Sequence, residues 1–404
     1  MLNHPDFGTA RALLVRSVQP VQTEQVALEH SFGRVLAAPL TARENVPAFD
    51  RSPYDGYAFR AADTAAATPA APVSLQILEE IPAGGVPTKA VTAGTASKVL
   101  TGAPIPAGAD AVVKFEDTRF SAHTVELMKP ARCGDNIVRA GEDVAAGTAL
   151  AACGQTIDAG IAGMLAAEGI VQPLVYRRPK VGVISTGNEV CDAATVPEPG
   201  KIRDTNRFAL SAALQRSGME PVFCGYATDR IDAIAALLET ALVRCDAVVL
   251  TGGVSVGDYD CTPAAMVKIG AEMLLRGVDL KPGMACAYAM RDGKLLCGLS
   301  GNPASAMTNF YAVALPALKR LAGHLDAIPQ EVALTLKNGF RKKSPTTRLL
   351  RGRLDLCNGM AEIVLPKDQG NVVLSSTIGC DVMAVVPAGS GALEAGTRLK
   401  GFLL

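Results

Sequence analysis

Only four histidines, His4, His30, His123 and His324, occur among 404 residues, and they are far apart in the chain. That scarcity leaves no zincin motif and makes a histidine-centred triad a poor basis for chemistry. The ten cysteines form no CxxC pair and no regular spacing, which argues against structural zinc and for small buried thiols in a reducing compartment. No apolar run is long enough to span a bilayer. The start Met1-Leu2-Asn3-His4-Pro5-Asp6 has neither the basic residues nor the apolar core of a signal peptide. A cytoplasmic protein with no membrane attachment is therefore expected. Neither sign of charge dominates, with 39 Lys+Arg against 39 Asp+Glu, so no nucleic acid is expected as a general partner, although a local basic pocket remains open. Against these absences, a hydrophobic content of 49% and a charged content of 19% provide for a large core and exclude general disorder. The length allows two to four domains.

The texture changes along the chain. From Thr9 to Ala37, Ala12, Leu13, Val15 and Val18, then Val26, Ala27 and Leu28, fall at helical spacing and predict two helices separated around Pro20. From Asn45 to about Leu150, Pro and Gly are dense and short alternating runs (Val73–Leu78, Ala111–Lys114, Thr124–Met128) predict a small β-rich domain. Asp158 to Ala167 reads as helical, and Arg177-Arg178-Pro179 as a linker. From Lys180 to about Gly323, strands at Val181–Ser185, Glu220–Gly225, Ala247–Leu250, Met273–Leu275 and Leu295–Leu299 alternate with helices at Thr205–Arg216, Ile231–Arg244, Thr262–Ile269 and Pro303–Leu321. That alternation predicts a doubly wound, mostly parallel sheet with ligands at the carboxyl ends of its strands. The last segment, from Glu331, predicts a small separate β-barrel. The division expected is a helical linker domain (1–44 with 151–179), a β-rich domain (45–150), an α/β domain (180–325) and a C-terminal barrel (326–404).

Three glycine turns follow strands of the α/β segment. In the first, Val248 to Leu250 opens through Gly252 and Gly253 to Ser255 and Gly257, then Asp258 and Asp260. The glycines let backbone N–H groups approach an anion, and the two aspartates, one residue apart on the same side of an extended loop, can hold a hard cation such as Mg²⁺ or cap the helix from Thr262. In the second, Thr186-Gly187-Asn188-Glu189 either admits an anion while Glu189 ligates a cation, or begins a helix with a solvated Glu. In the third, Gly301-Asn302-Pro303 presents free N–H groups at a helix start, which serves an anion or merely initiates the helix. Asp204 or Thr205 is an expected helix cap with Gly218 at the other end, and Asn206 can make a ligand contact as well. Lys281, in Lys281-Pro282-Gly283, offers a point charge for an oxyanion or is simply solvated. Asp55 in Tyr54-Asp55-Gly56 belongs to a tight turn or reaches a neighbouring domain or subunit, and Thr101 sits on a β-domain corner or a binding surface.

Taken together, Ser52 to Tyr57, Thr101-Gly102-Ala103-Pro104, Gly141-Glu142-Asp143, Ser185 to Glu189, Asp204-Thr205-Asn206, Gly252 to Asp260 and Gly301 to Ser305 resemble the molybdopterin molybdenumtransferase family, the MoeA and gephyrin E-domain group, across nearly the whole chain and in order. The resemblance implies an elongated homodimer of four-domain subunits. Its active site lies between the α/β domain of one subunit and the β domain of the other. The implied reaction takes adenylylated molybdopterin (molybdopterin-AMP) and molybdate, with Mg²⁺, to molybdenum cofactor and AMP. By carry-over, Glu189 and Asp260 hold Mg²⁺ with Asp229 and Asp258 nearby, and Asp55 and Thr101 come from the facing subunit. Lys281, Ser305 and Arg351 face the oxyanion. Thr186, Gly187, Asn206, Gly252, Gly253, Ser255, Gly301, Asn302 and Pro303 form the molybdopterin cradle. A contact with the molybdopterin adenylyltransferase is a candidate partnership.

The sequence departs from the family pattern at three places. Met284-Ala285 stands where Lys-Pro is usual after Lys281-Pro282-Gly283, Ser300 where Pro precedes Gly301-Asn302-Pro303, and Tyr54 where Met precedes Asp55-Gly56. Loss of one charged hydrogen bond at an oxyanion site costs about 1.5–3 kcal/mol if unreplaced, and Arg276 is a candidate replacement. Two other readings follow: a diverged paralogue that binds molybdopterin without catalysis, favoured by Met284, and a molybdopterin adenylyltransferase, which the additional domains weigh against.

Overall fold

The computed structural model describes residues 1–254, 261–357 and 359–404. It divides into two compact units. One comprises Met1–Ala38, Cys153–Ala162 and Gln172–Leu404, and the other Pro39–Ala152 with Gly163–Val171.

The first unit is built on a mixed sheet. Its strands are β1 (Lys180–Thr186), β2 (Glu220–Ala227), β3 (Ala247–Thr251), β4 (Glu272–Arg276), β5 (Cys286–Arg291) and β6 (Lys294–Leu299), with Leu2–Asn3 added at the edge. The spatial order is Leu2–Asn3, β4, β5, β6, β3, β1, β2. The β6, β3, β1 and β2 strands run parallel, whereas β5 is antiparallel to both neighbours. The chain steps from β1 to β2 on one side and then to β3 on the other, so the sheet's switch point lies between β1 and β3. In such sheets that crevice is where ligands sit. Both faces are covered, which is why β1 and β3 are continuous runs of buried residues. Besides α1 (Phe7–Ser17), the helices are α2 (Asn206–Arg216), α3 (Ile231–Arg244), α4 (Thr262–Lys268), α5 (Pro303–Asn309) and, after a π-helical turn at Phe310–Ala314, α6 (Leu315–Leu321). On α3 the buried residues Ile234, Ala235, Leu238 and Ala241 recur at one-turn spacing, with Asp232 in the first turn and Arg244 in the last, where each complements the helix dipole. Burying each large apolar side chain contributes roughly 1.5–3 kcal/mol.

Two elements differ from the sequence reading. The second N-terminal helix is absent: Thr23–Gln25 is a strand paired with Leu174–Tyr176, and Leu28–His30 a single 3-10 turn. The apolar triplet Val26-Ala27-Leu28 is too short to repay helix nucleation between Pro20 and Gly33, so strand pairing wins. The antiparallel β5 was concealed in the stretch after Lys281.

Five further strands close into a barrel: β7 (Glu331–Leu336), β8 (Arg348–Cys357), β9 (Met360–Val364), β10 (Val382–Val386) and β11 (Arg398–Leu403), in the order β7-β9-β8-β10-β11. Closure comes from β11 pairing antiparallel with β7 and removes exposed edges. The β8 face that carries Leu349 and Arg351 packs towards α5, whereas Leu350 and Leu354 fill the barrel.

The second unit contains a six-stranded sheet in the order Ala111–Lys114, Gly56–Phe59, Thr95–Val99, Val73–Ile81, Thr124–Leu127, Thr118–Phe120. Tyr57, Phe59 and Leu75 lie in one core, and Ala58, Ile81 and Val99 in another.

Candidate functional site

A cavity of about 870 Å³ opens at the carboxyl ends of β1, β3 and β6, at the switch point. Three glycine turns form its floor. Gly187 adopts φ +134°, Gly252 φ +101° and Gly253 φ +62°, conformations that favour glycine. At Gly252 the reason is also contact: a Cβ would lie 2.4 Å from Thr186 Oγ1 and 2.7 Å from Thr186 O. The turns are tied to one another. The Gly252 N–H donates to Leu299 O at 2.9 Å, the Thr186 hydroxyl to Thr251 O at 3.0 Å, and the Asn206 amide to Gly301 O at 2.8 Å.

Asn206 is buried, and its Oδ1 has no hydrogen-bond partner. A buried acceptor left in this state costs free energy unless something donates to it. Asn206 also lines the cavity, where its amide holds the Gly301 turn. Beside it, buried Asp204 accepts from the Ser185 hydroxyl at 2.5 Å and the Arg207 N–H at 3.0 Å, so it caps α2 and pins β1 together. Asp204, not the Thr205 side chain, makes the cap bond.

Thr186, Gly187, Glu189, Asn206, Asp229, Gly252, Gly253, Gly301, Asn302 and Pro303 all line this cavity. Asp229 reaches it by a reciprocal exchange, in which the Asn188 N–H donates to Asp229 Oδ2 at 3.1 Å and the Asp229 N–H to Asn188 Oδ1 at 3.4 Å. The Glu189 carboxylate folds back over Gly187. Glu189 and Asp229 are hard oxygen donors suited to a cation such as Mg²⁺. Among the described residues no group of three or more His, Cys, Asp or Glu gathers to hold a metal ion. Ser255, Asp258 and Asp260 lie outside the described residues.

Lys281, Ser305 and Arg351 do not line the cavity. The Leu349 N–H donates to Lys281 O at 3.0 Å, and the Lys281 N–H to Thr347 O at 2.9 Å, which fastens the lysine segment to the start of β8. Arg351, also on β8, is 1% exposed. Its guanidinium donates to Thr308 Oγ1 at 3.3 Å, Ser376 Oγ at 3.0 Å and Gly370 O at 3.4 Å, while Nε has no partner. Burial lowers its pKa from the usual arginine value. An arginine stays charged even so, and the nearby Cys380 and Asp368 favour that charge. The same β8–Ser376 region sends Val372 and Leu374 to the cavity wall, where they join Val190, Pro197 and Ile202 in an apolar surface. No local signal announced Val372 and Leu374, because barrel residues reach the cavity only through tertiary packing.

The three departures have local consequences. Ser300 Oγ accepts from the Asn302 N–H at 3.2 Å, so a hydroxyl supports the turn. Tyr54 carries the Lys114 ammonium over its ring at 4.0 Å. Met284 is 41% exposed. Arg276, the candidate replacement for the missing cation, is exposed on β4 and does not line the cavity.

In the other unit, Thr101 donates twice to Asp55 Oδ1, from N–H at 2.7 Å and from the hydroxyl at 2.8 Å. These bonds hold the exposed Asp55 carboxyl below its ordinary pKa. The pair is therefore one preassembled acidic group on a loop.

Comparison with known proteins agrees with this geometry. Residues 6–169 match the family model of the MoeA N-terminal region (domain I and II), 182–320 that of a probable molybdopterin binding domain, and 333–402 that of the MoeA C-terminal region (domain IV). A molybdopterin molybdenumtransferase from Staphylococcus aureus (strain MRSA252) is 37% identical over 383 residues, 94% of this chain and 90% of that protein. The chain belongs to the molybdopterin molybdenumtransferase family. A second member, from Bacillus subtilis (strain 168), is 35% identical over 390 residues, 95% of this chain and 90% of its own length. Among solved structures, the molybdopterin biosynthesis MoeA protein of Pyrococcus horikoshii OT3 superposes with a TM-score of 0.85 at 30% identity, covering 99% of this chain and 100% of that one. No described helix is long and apolar enough to cross a membrane.

Proposed function

We propose that this protein is an enzyme of molybdenum cofactor biosynthesis that inserts molybdate into adenylylated molybdopterin and releases AMP, with Mg²⁺. The observation that carries the reading is the cavity at the switch point, with glycine turns on its floor and carboxylates on one wall. Arg351, 1% exposed, is held on the barrel strand by Thr308 and Ser376. A pyrophosphate-linked pterin and a small oxyanion require that combination of N–H donors, cations and an apolar wall.

Each residue has a role in this reading. Backbone groups of the turns at Thr186-Gly187, Gly252-Gly253-Val254 with Ser255, and Gly301-Asn302-Pro303 receive the phosphates. Asn206 holds the Gly301 turn of that cradle through its amide. Lys281, Ser305 and Arg351 bind molybdate and fix it against the substrate. Glu189 and Asp229, with Asp258 and Asp260, would hold Mg²⁺, which when bound neutralises charge developing on the cleaved phosphoanhydride. The donor set fits it, since carboxylate oxygens are the ligands it prefers. Asp55 and Thr101 act from the facing subunit of a homodimer, and the four-part division of the chain is retained as part of this proposal.

The test is AMP release from adenylylated molybdopterin, with Mg²⁺ and with or without molybdate. Release that depends on molybdate supports the reading. Tight binding with no release would sink it in favour of a binding paralogue, as would consumption of ATP in favour of an adenylyltransferase.

A further inference from the structure

The loop that bears Lys281 closes through the Val278 N–H to Met284 O at 3.0 Å and is also held from α5. Gly283 adopts φ +107°, and a Cβ on it would stand 3.1 Å from Asn309 Cβ and 3.2 Å from Ser305 O, so the loop lies directly on α5. Asn309 ends that helix and is fully buried. Its Nδ2 donates to Gly283 O at 2.7 Å, and its Oδ1 accepts from the hydroxyl of Tyr288 on β5. Tyr288 is also fully buried. A free asparagine amide rotates between two orientations that exchange donor and acceptor. The Tyr288 hydroxyl, here a donor, selects the orientation that turns Nδ2 towards Gly283. The π-helical turn begins at the next residue, Phe310, a distortion of the kind often found beside functional sites.

We infer that Tyr288 and Asn309 are positioning residues for the oxyanion site, holding the 281–284 loop in register with Ser305 and Arg351. The inference rests on the proposed molybdate reading, which assigns that site its ligand. The pair does not touch the anion. It acts through the Gly283 carbonyl, one residue from Met284 and two from Lys281. With Met284 in place of the usual lysine, fewer charged contacts hold the anion, and the placement of Lys281 carries more of the binding. Asn309 is one turn beyond Ser305 and next to Thr308, which receives the Arg351 guanidinium, so one helical turn connects all three anion-facing segments.

The experiment uses full-length protein carrying Tyr288→Phe, which keeps the ring and removes only the hydroxyl, and Asn309→Ala. Leu296→Ala, a core truncation on β6 away from the loop, serves as a stability control. Molybdate half-saturation and kcat for AMP release are measured beside melting temperature, with and without added tungstate as a direct probe of oxyanion binding. In Tyr288→Phe, half-saturating molybdate is expected to rise roughly three- to tenfold, the loss of one hydrogen bond. Its kcat should stay within about twofold, and the tungstate-induced rise in melting temperature should shrink. Leu296→Ala should lower the melting temperature with half-saturation unchanged. Should Tyr288→Phe lose stability but keep wild-type molybdate dependence and the full tungstate shift, the pair is structural only and the inference falls. Should the wild type show neither molybdate-dependent AMP release nor a tungstate shift, the functional reading fails and the inference fails with it. If Asn309→Ala does not fold, Tyr288→Phe alone decides.

Discussion

Single residues set the geometry of the cavity floor, and two of them make sharp tests. Gly252 combines positive φ with contact on Thr186. Gly252→Ala should cost about 1–2 kcal/mol from the backbone conformation alone, more once Thr186 is displaced. The movement of the turn should lower AMP release about a hundredfold. Gly389 also has positive φ, at +81°, but nothing lies within 4 Å of its Cβ position. Gly389→Ala should cost about 1 kcal/mol and leave turnover intact. Urea titration beside turnover measures both, and equal effects on turnover would remove the special role of Gly252. Met284 tests the oxyanion end. Met284→Lys returns a cation next to the loop and should lower half-saturating molybdate by roughly tenfold or more. An unchanged value would mean that Arg351 and Lys281 already satisfy the anion.

At the scale of elements, the end of α6 contains a pH-sensitive group. His324 follows the helix, its N–H bonded to Lys319 O at 3.0 Å. Burial first, then the nearby Lys319 charge, lowers its pKa to about 4. In the unfolded chain the value is about 6.5. Between those two pH values the unfolded state binds more protons, so the folded state loses stability as pH falls from about 6.5 towards 4 and keeps it in full above. The loss is on the order of 2 kcal/mol once partial exposure is allowed for. His324→Gln should remove most of that slope. Urea midpoints at pH 7.5 and 4.5 read it directly, and parallel slopes in both proteins would assign the acid sensitivity elsewhere. The helices themselves were legible in sequence: α3 was read to the residue, because its buried positions keep one-turn spacing. The strand Thr23–Gln25 was not, since all three residues are exposed and its stability comes from pairing with Leu174–Tyr176, about 150 positions away.

At the scale of the whole molecule, the proposed homodimer makes a prediction that no single chain can satisfy. If Asp55 and Glu189 of different subunits serve one site, Asp55→Ala and Glu189→Ala proteins should each be nearly inactive. A co-expressed mixture should then recover about a quarter of wild-type AMP release, because half the dimers are mixed and each has one intact site. A mixture as inactive as its parents would place both residues in the same subunit's site, and an active Asp55→Ala protein would leave Asp55 outside it. Full-length similarity to the family members supports testing the intact chain rather than its parts.

Sequence alone determined what depends on neighbours in the chain. The parallel strands declare themselves as apolar runs, the glycine turns as breaks in those runs, and the α3 face as a periodicity, because backbone conformation and burial pattern are local properties. Ten of the candidate residues line one cavity, because turns at strand ends are fixed by the sheet that follows from those runs. Tertiary structure alone decided what joins distant segments. Arg351 is an ordinary arginine in a strand until closure of the barrel and packing on α5 strip it of water and bond it to Thr308 and Ser376. Tyr288 and Asn309, 21 positions apart, form a hydrogen-bonded pair only because β5 runs beneath the end of α5. Burial and orphaned polar atoms are properties of the packed chain, and no spacing of letters encodes them.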